Sequence, residues 1–231
     1  MIKAGKKLVL FDIDGTLVHT GGAGTRSMNL AFHKLFGIEN AFEGIAMAGK
    51  TDREIMKEGL KTQGLEHRDG NLSSMVRQYL YFLEQEIVNP HKVIKPGIEE
   101  AIVFFQGMGL PLGLLTGNLE KGARIKLEAF GLYNHFIDGA FGSDHEDRNE
   151  LLPIALNKFS ARGMNFTPED CIVIGDTPRD VTCAKVHNAA SIAVATGPYS
   201  KAALLETEAD VVVDTLAERD RYLHLLQTSP H

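Results

Sequence analysis

Residues 8–17 read Leu8-Val9-Leu10-Phe11-Asp12-Ile13-Asp14-Gly15-Thr16-Leu17, an apolar run that ends in two aspartates and a glycine. Four consecutive large apolar residues suit a strand covered on both faces, the kind a parallel sheet contains. Asp12 and Asp14 stand two apart, so extended backbone turns both to one side. Carboxylates crowded where a strand gives way to a turn repel one another unless a cation lies between them, and hard oxygen donors suit Mg2+. Taken alone, the stretch also fits an Asp-Gly turn that simply ends a strand.

Working outward, the rest of the chain has two textures. From Gly97 onward, short apolar runs (110–116, 136–142, 171–175, 191–195 and 210–213) alternate with amphipathic stretches (98–108, 119–130, 150–162 and 181–188). That alternation implies a parallel sheet with helices on both faces. Residues 24–88 differ: 25–36, 52–62 and 72–87 space their apolar residues three or four apart and carry little strand signal. A structureless loop of that length is uncommon in a compact domain, so a helical insertion is expected. The fold class is therefore α/β, a Rossmann-like parallel sheet core formed by residues 1–20 and 93–231, with an inserted all-helical cap over residues 21–92. Gly21, Gly22 and Gly24 on one side, and Asn89-Pro90 with Pro96-Gly97 on the other, are the expected hinges.

In such sheets ligands bind at the carboxyl ends of the strands, and chemistry-bearing residues gather there. The run 171–175 ends in Asp176-Thr177-Pro178-Arg179-Asp180. Asp176 could hold the same cation as Asp12, with Asp180 one helical turn on, orienting it, if Pro178 opens a helix. A second acidic strand end makes two coincidental turns a poor account. The run 112–115 ends in Thr116-Gly117-Asn118, a hydroxyl and a glycine amide that can donate to phosphate oxygens, though Thr116 could equally cap a helix. Past 136–142, Arg148 could offset charge on phosphate and aspartate.

These segments, FDIDGTL, LLTGN, Arg148 and GDTPRD, in this order, resemble the haloacid dehalogenase (HAD) superfamily of hydrolases, phosphoglycolate phosphatase-like members with a helical cap above all. The resemblance covers nearly the whole chain. It implies an Mg2+-dependent phosphatase acting on a small phosphorylated metabolite. Asp12 would attack phosphorus, Asp14 would serve as acid and base, and Thr116, Gly117 and Asn118 would bind phosphate. The metal would be held by Asp12, the Asp14 carbonyl and Asp176, with Asp180 behind them. Relatives commonly carry Lys where Arg148 stands, so Lys126 and Lys158 are rivals for that role. His19 replaces a residue that is acidic in many relatives. Within the superfamily, Asp14 disfavours a 2-haloacid dehalogenase or a phosphonate hydrolase, both of which lack this carboxylate. A sugar phosphomutase and a catalytically silent binding protein stay as alternatives.

Gly44 to Thr51 satisfies the G-x-x-x-x-G-K-T phosphate-loop pattern, but no strand precedes it, and a nucleotide-binding loop needs one. The segment is better placed in the cap, where Lys50 could meet an anionic substrate group. The net charge of -6 across 231 residues, with no basic tract, argues against nucleic acid or an anionic membrane as partner. Two cysteines are too few for a disulfide framework. With no leader pattern and no long apolar stretch, the expectation is a cytoplasmic protein, monomeric or weakly dimeric. The histidines, His67 among them, are scattered and form no metal-ligand pair.

Overall fold

A computed structural model describes residues 6–66 and 70–227; His67 and the outermost residues of the expected core lie outside that range. Six parallel strands form one sheet: β1 (Leu8–Phe11), β4 (Leu112–Thr116), β5 (Gly139–Phe141), β6 (Cys171–Gly175), β7 (Ala190–Val194) and β8 (Val211–Val213). Their spatial order is β5-β4-β1-β6-β7-β8, so the first strand lies in the middle. The run 171–175 is β6 itself and 191–195 is offset by one residue from β7, whereas 110–116, 136–142 and 210–213 are longer than the strands they contain. Residues 110–111 and 136–138 approach the sheet edge as connecting chain, because a strand needs a partner along its whole length.

Alternation along β1 explains the layers. Val9 and Phe11 face one side with Ile102 and Phe105 of α4 (Ile98–Gly107) and Ala123 and Leu127 of α5 (Glu120–Glu128). Leu8 and Leu10 face the other, against Ala155 and Phe159 of α6 (Leu151–Ala161) and Cys183 of α7 (Pro178–Lys185). Burying each such side chain stabilises the fold by about 2 kcal/mol. Both cysteines are free and buried.

The insertion carries three helices, α1 (Ala23–Phe36), α2 (Asp52–Thr62) and α3 (Asn71–Glu86). Met28, Phe32, Met56, Met75 and Tyr79 bury themselves among one another there. Gly21 and Gly22 take left-handed backbone at its entrance, whereas Gly24, expected in the hinge, is already inside α1. Asn89 ties the exit to the entrance by donating to the Thr20 carbonyl at 3.0 Å. A feature without a visible signal joins the two passages: β2 (Val18–His19) pairs antiparallel with β3 (Val93–Ile94). Strands of two residues leave no periodicity to read. Among the described residues no helix is long and apolar enough to cross a membrane.

Candidate active site

Strand register assembles the site. Phe11 is opposite Leu114 on one neighbour and Ile174 on the other. Asp12, Thr116 and Asp176 therefore leave three adjacent strands at the same edge, and the Asp12 amide still donates to the Ile174 carbonyl at 2.9 Å. Gly15 turns the chain back, its amide bonded to the Val18 carbonyl at 2.9 Å. Pro178 does open α7, and Asp180, in its first turn, accepts from the Thr177 amide at 2.9 Å and hydroxyl at 2.7 Å.

Asp12, Asp176 and Asp180 are buried and bring carboxylate oxygens within 4.8 Å of one another. Burial pushes the Asp12 carboxyl up to about 6 against the pull of Arg148. Burial, with Asp12 and Asp180 nearby, holds Asp176 well above the carboxylate range. Such a cluster carries more negative charge than its protein partners neutralise, and an oxygen-only donor set of this kind fits Mg2+. Asp180 has its oxygens engaged by Arg148 and by Thr177. Asp176 accepts from the Thr16 hydroxyl at 2.8 Å.

Of the three cations expected to compete for the third position, Arg148 is the one beside Asp12. Its Nη2 donates to Asp12 at 2.9 Å and to Asp180, and Nη1 reaches the Gly49 carbonyl of the insertion at 3.2 Å. Burial would lower the Arg148 pKa, but Asp180 and Asp12 outweigh it and keep the guanidinium charged. Lys158 pairs instead with Asp144, at 2.7 Å. Lys126 belongs to a separate group: its Nζ lies 2.6 Å from Asp14 Oδ2, and it also donates to Asn118 Oδ1. Asp14 thus stands apart from the cluster that Asp12 joins.

Asn118 links two of the expected site residues. Its side-chain amide donates to Asp14 at 2.8 Å and to Thr116 Oγ1 at 2.9 Å, so it orients these two residues. Lys50 does line the cavity, but Glu58 neutralises it. The phosphate-loop pattern around it is a run of turns with no strand before it, and Thr51 caps α2 by accepting from the Glu54 amide at 3.2 Å.

The insertion sits closed on the core. The Asp52 amide donates to the Gly117 carbonyl, and Asp52 Oδ2 accepts from the Leu119 amide, both at 2.8 Å. Thr51 Oγ1 donates to the Glu146 carbonyl at 3.0 Å. A cavity of about 510 Å3 remains between the layers, lined by Asp12, Asp14, Lys126 and Arg148 from below and by Met28, Lys50, Ile55 and Tyr79 from above. Asp52 and Tyr79 went unread as site residues in the sequence. A buried carboxylate beside a buried hydroxyl has no one-dimensional signature.

Comparison with known proteins agrees with this geometry. The model of the haloacid dehalogenase-like hydrolases matches residues 6–188. The chain therefore belongs to the haloacid dehalogenase-like hydrolase family, on the side of it that phosphatases populate. A protein described as "Probable phosphatase IndB" in Dickeya dadantii is 29% identical over 92% of this chain and 91% of its own length. A phosphoglycolate phosphatase of Chromobacterium violaceum is 27% identical over 92% and 94%. In fold, CbbY of Rhodobacter sphaeroides, crystallised with xylulose-(1,5)bisphosphate, superposes with TM-score 0.76 at 20% identity, covering 99% of this chain and 100% of its own.

Proposed function

We propose that the protein is an Mg2+-dependent phosphomonoesterase acting on a small phosphorylated metabolite through an aspartyl-phosphate on Asp12, with residues 21–92 closing as a cap. The observation that carries this reading is the separation of the two aspartates. Asp12 sits in the cluster with Asp176 and Asp180, while Asp14 is held by Lys126 and Asn118. That separation supports a nucleophile's role for Asp12 and a proton carrier's for Asp14.

Asp12 attacks phosphorus as Asp14 gives its proton to the departing alkoxide oxygen. Asp14 then takes a proton from the water that hydrolyses the acyl phosphate, returning Asp12 as carboxylate and releasing inorganic phosphate. The Thr116 hydroxyl and the Gly117 amide hold the phosphoryl oxygens, and Arg148 fixes Asp12 for attack. Asp12, Asp176 and the Asp14 carbonyl would hold Mg2+, which when bound would supply charge stabilisation for the transferring group. The closed cap excludes bulk water and fits a metabolite rather than a polymer.

The test is phosphate release from 4-nitrophenyl phosphate with Mg2+ and with EDTA. Release is expected with the metal alone, and Asp12→Asn should abolish it while leaving the circular dichroism spectrum unchanged. Full activity in Asp12→Asn would end this mechanism.

A further inference from the structure

Beside Asp14, three polar side chains from three different elements converge on the cavity: Lys126 of α5, Asp52 at the start of α2 and Tyr79 of α3. A Cβ on Gly24 would lie 3.7 Å from Lys126 Nζ and 3.9 Å from the Tyr79 hydroxyl, so the two tips share one small volume. Lys126 spends donors on Asp14 and Asn118. Asp52 Oδ2 takes the Leu119 amide. The Tyr79 hydroxyl, on a side chain with 0% exposure, faces this group with Asp52 as its interacting neighbour, yet no hydrogen bond of good geometry joins it to the described residues. A buried hydroxyl that its neighbour pairs only poorly, and that is aimed into a cavity, is placed to bond a ligand atom.

We infer that Tyr79, Asp52 and Lys126 form the subsite for the leaving group, and that they select a hydroxylated, uncharged one: the substrate is a phosphomonoester of a polyhydroxy alcohol rather than of a carboxylic acid. The inference rests on the phosphatase reading above, because Asp14 as proton donor makes the space beside it the place of the alcohol. A substrate hydroxyl both donates and accepts, so it can give its proton to Asp52 and receive that of Tyr79. A substrate carboxylate would face Asp52 and Asp14 across a single lysine that those two already share. The cap cation that could have met it, Lys50, is neutralised by Glu58. The rival location for a carboxylate is the wall formed by His19 and Lys95, where Lys95 Nζ donates to the Thr196 carbonyl at 2.5 Å.

The experiment is calorimetric titration of glycerol 3-phosphate and of 2-phosphoglycolate, ligands of similar size, into the Asp12→Asn protein with Mg2+. Binding of glycerol 3-phosphate should be at least about tenfold tighter, since sites built to pair a hydroxyl discriminate strongly against ligands lacking it. Adding Tyr79→Phe should bring the two affinities within about threefold. Its melting temperature should change little, because no protein hydrogen bond of good geometry is lost. Tighter or equal binding of phosphoglycolate, an affinity ratio indifferent to Tyr79→Phe, or no binding of either ligand overturns the inference. A drop in melting temperature with an unchanged ratio does so too. Failure of the phosphatase reading is seen separately, as absence of phosphate release by the unmodified enzyme.

Discussion

At the scale of single residues, Arg148 and Asp52 carry the sharpest consequences. Arg148 is buried and meets Asp12 and Asp180 with one guanidinium nitrogen. Removing one member of a buried ion pair leaves the other charges uncompensated, at a cost of roughly 3–5 kcal/mol. Arg148→Met is expected to lose about that much in urea unfolding without metal, to recover part of it when Mg2+ is added, and to lose phosphate release by at least about a hundredfold. Arg148→Lys keeps the charge but cannot span Asp12, Asp180 and the Gly49 carbonyl together, so its activity should fall between the two. Asp52 faces Lys126 from α5, Tyr79 from α3 and, further off, Asp14. Burial raises its carboxyl to about 6 despite the pull of Lys126. From about pH 4 to pH 6 the folded protein holds a proton on Asp52 that the unfolded chain has released, so this group makes stability fall as pH rises through that window. Asp52→Asn removes that loss. Its stability relative to the parent should therefore improve by about 3 kcal/mol between pH 4 and pH 7, roughly two pKa units of linkage, read from urea unfolding at each pH. A flat difference would show that Asp52 ionises as it does in water.

At the scale of elements, the start of α2 presses on the loop after β4. A Cβ at Gly117 would collide with the Lys50 carbonyl, which is backbone and cannot rotate aside. Gly117→Ala should therefore hold the cap off the core: small-angle scattering should report a larger radius of gyration, and phosphate release from metabolite esters should fall at least tenfold. An unchanged radius would mean that the loop yields instead of the cap. The helices themselves were legible, since apolar spacing marks 52–62 as the helix it is and places the other two cap helices within about two residues. The β2–β3 ribbon and the grip of Asp52 on Leu119 were not. Both depend on residues that meet only after the chain has folded back across long separations in sequence.

At the scale of the whole molecule, the sequence reveals which strands carry acidic ends but not that β1 lies between β4 and β6. That order brings Asp12, Thr116 and Asp176 to one edge. The resemblance to known hydrolases supplied the missing neighbourhood, whereas the pairing of Lys126 with Asp14, 112 positions apart, had no local sign. If the carboxylate cluster holds Mg2+ as proposed, global stability depends on the metal. Ligand at a hundred times its dissociation constant adds about 2.7 kcal/mol, which for a domain of this size is a rise of roughly 5–10 °C in melting temperature. Saturating Mg2+ should produce that rise in differential scanning fluorimetry, and Asp176→Asn should lose it. No rise in the parent protein would indicate that Asp12, Asp176 and Asp180 do not bind the ion.

The ribbon of Val18–His19 against Val93–Ile94 gives the molecule the topology of a single hairpin whose loop happens to be three helices long. The two ends of that loop are held at the spacing of neighbouring strands whatever lies between them. The core therefore makes no geometric demand on the size or shape of what it carries, and lengthening such a loop costs little closure entropy. One hydrolytic edge can in this way accept a different lid at the same junction, leaving the sheet beneath it undisturbed.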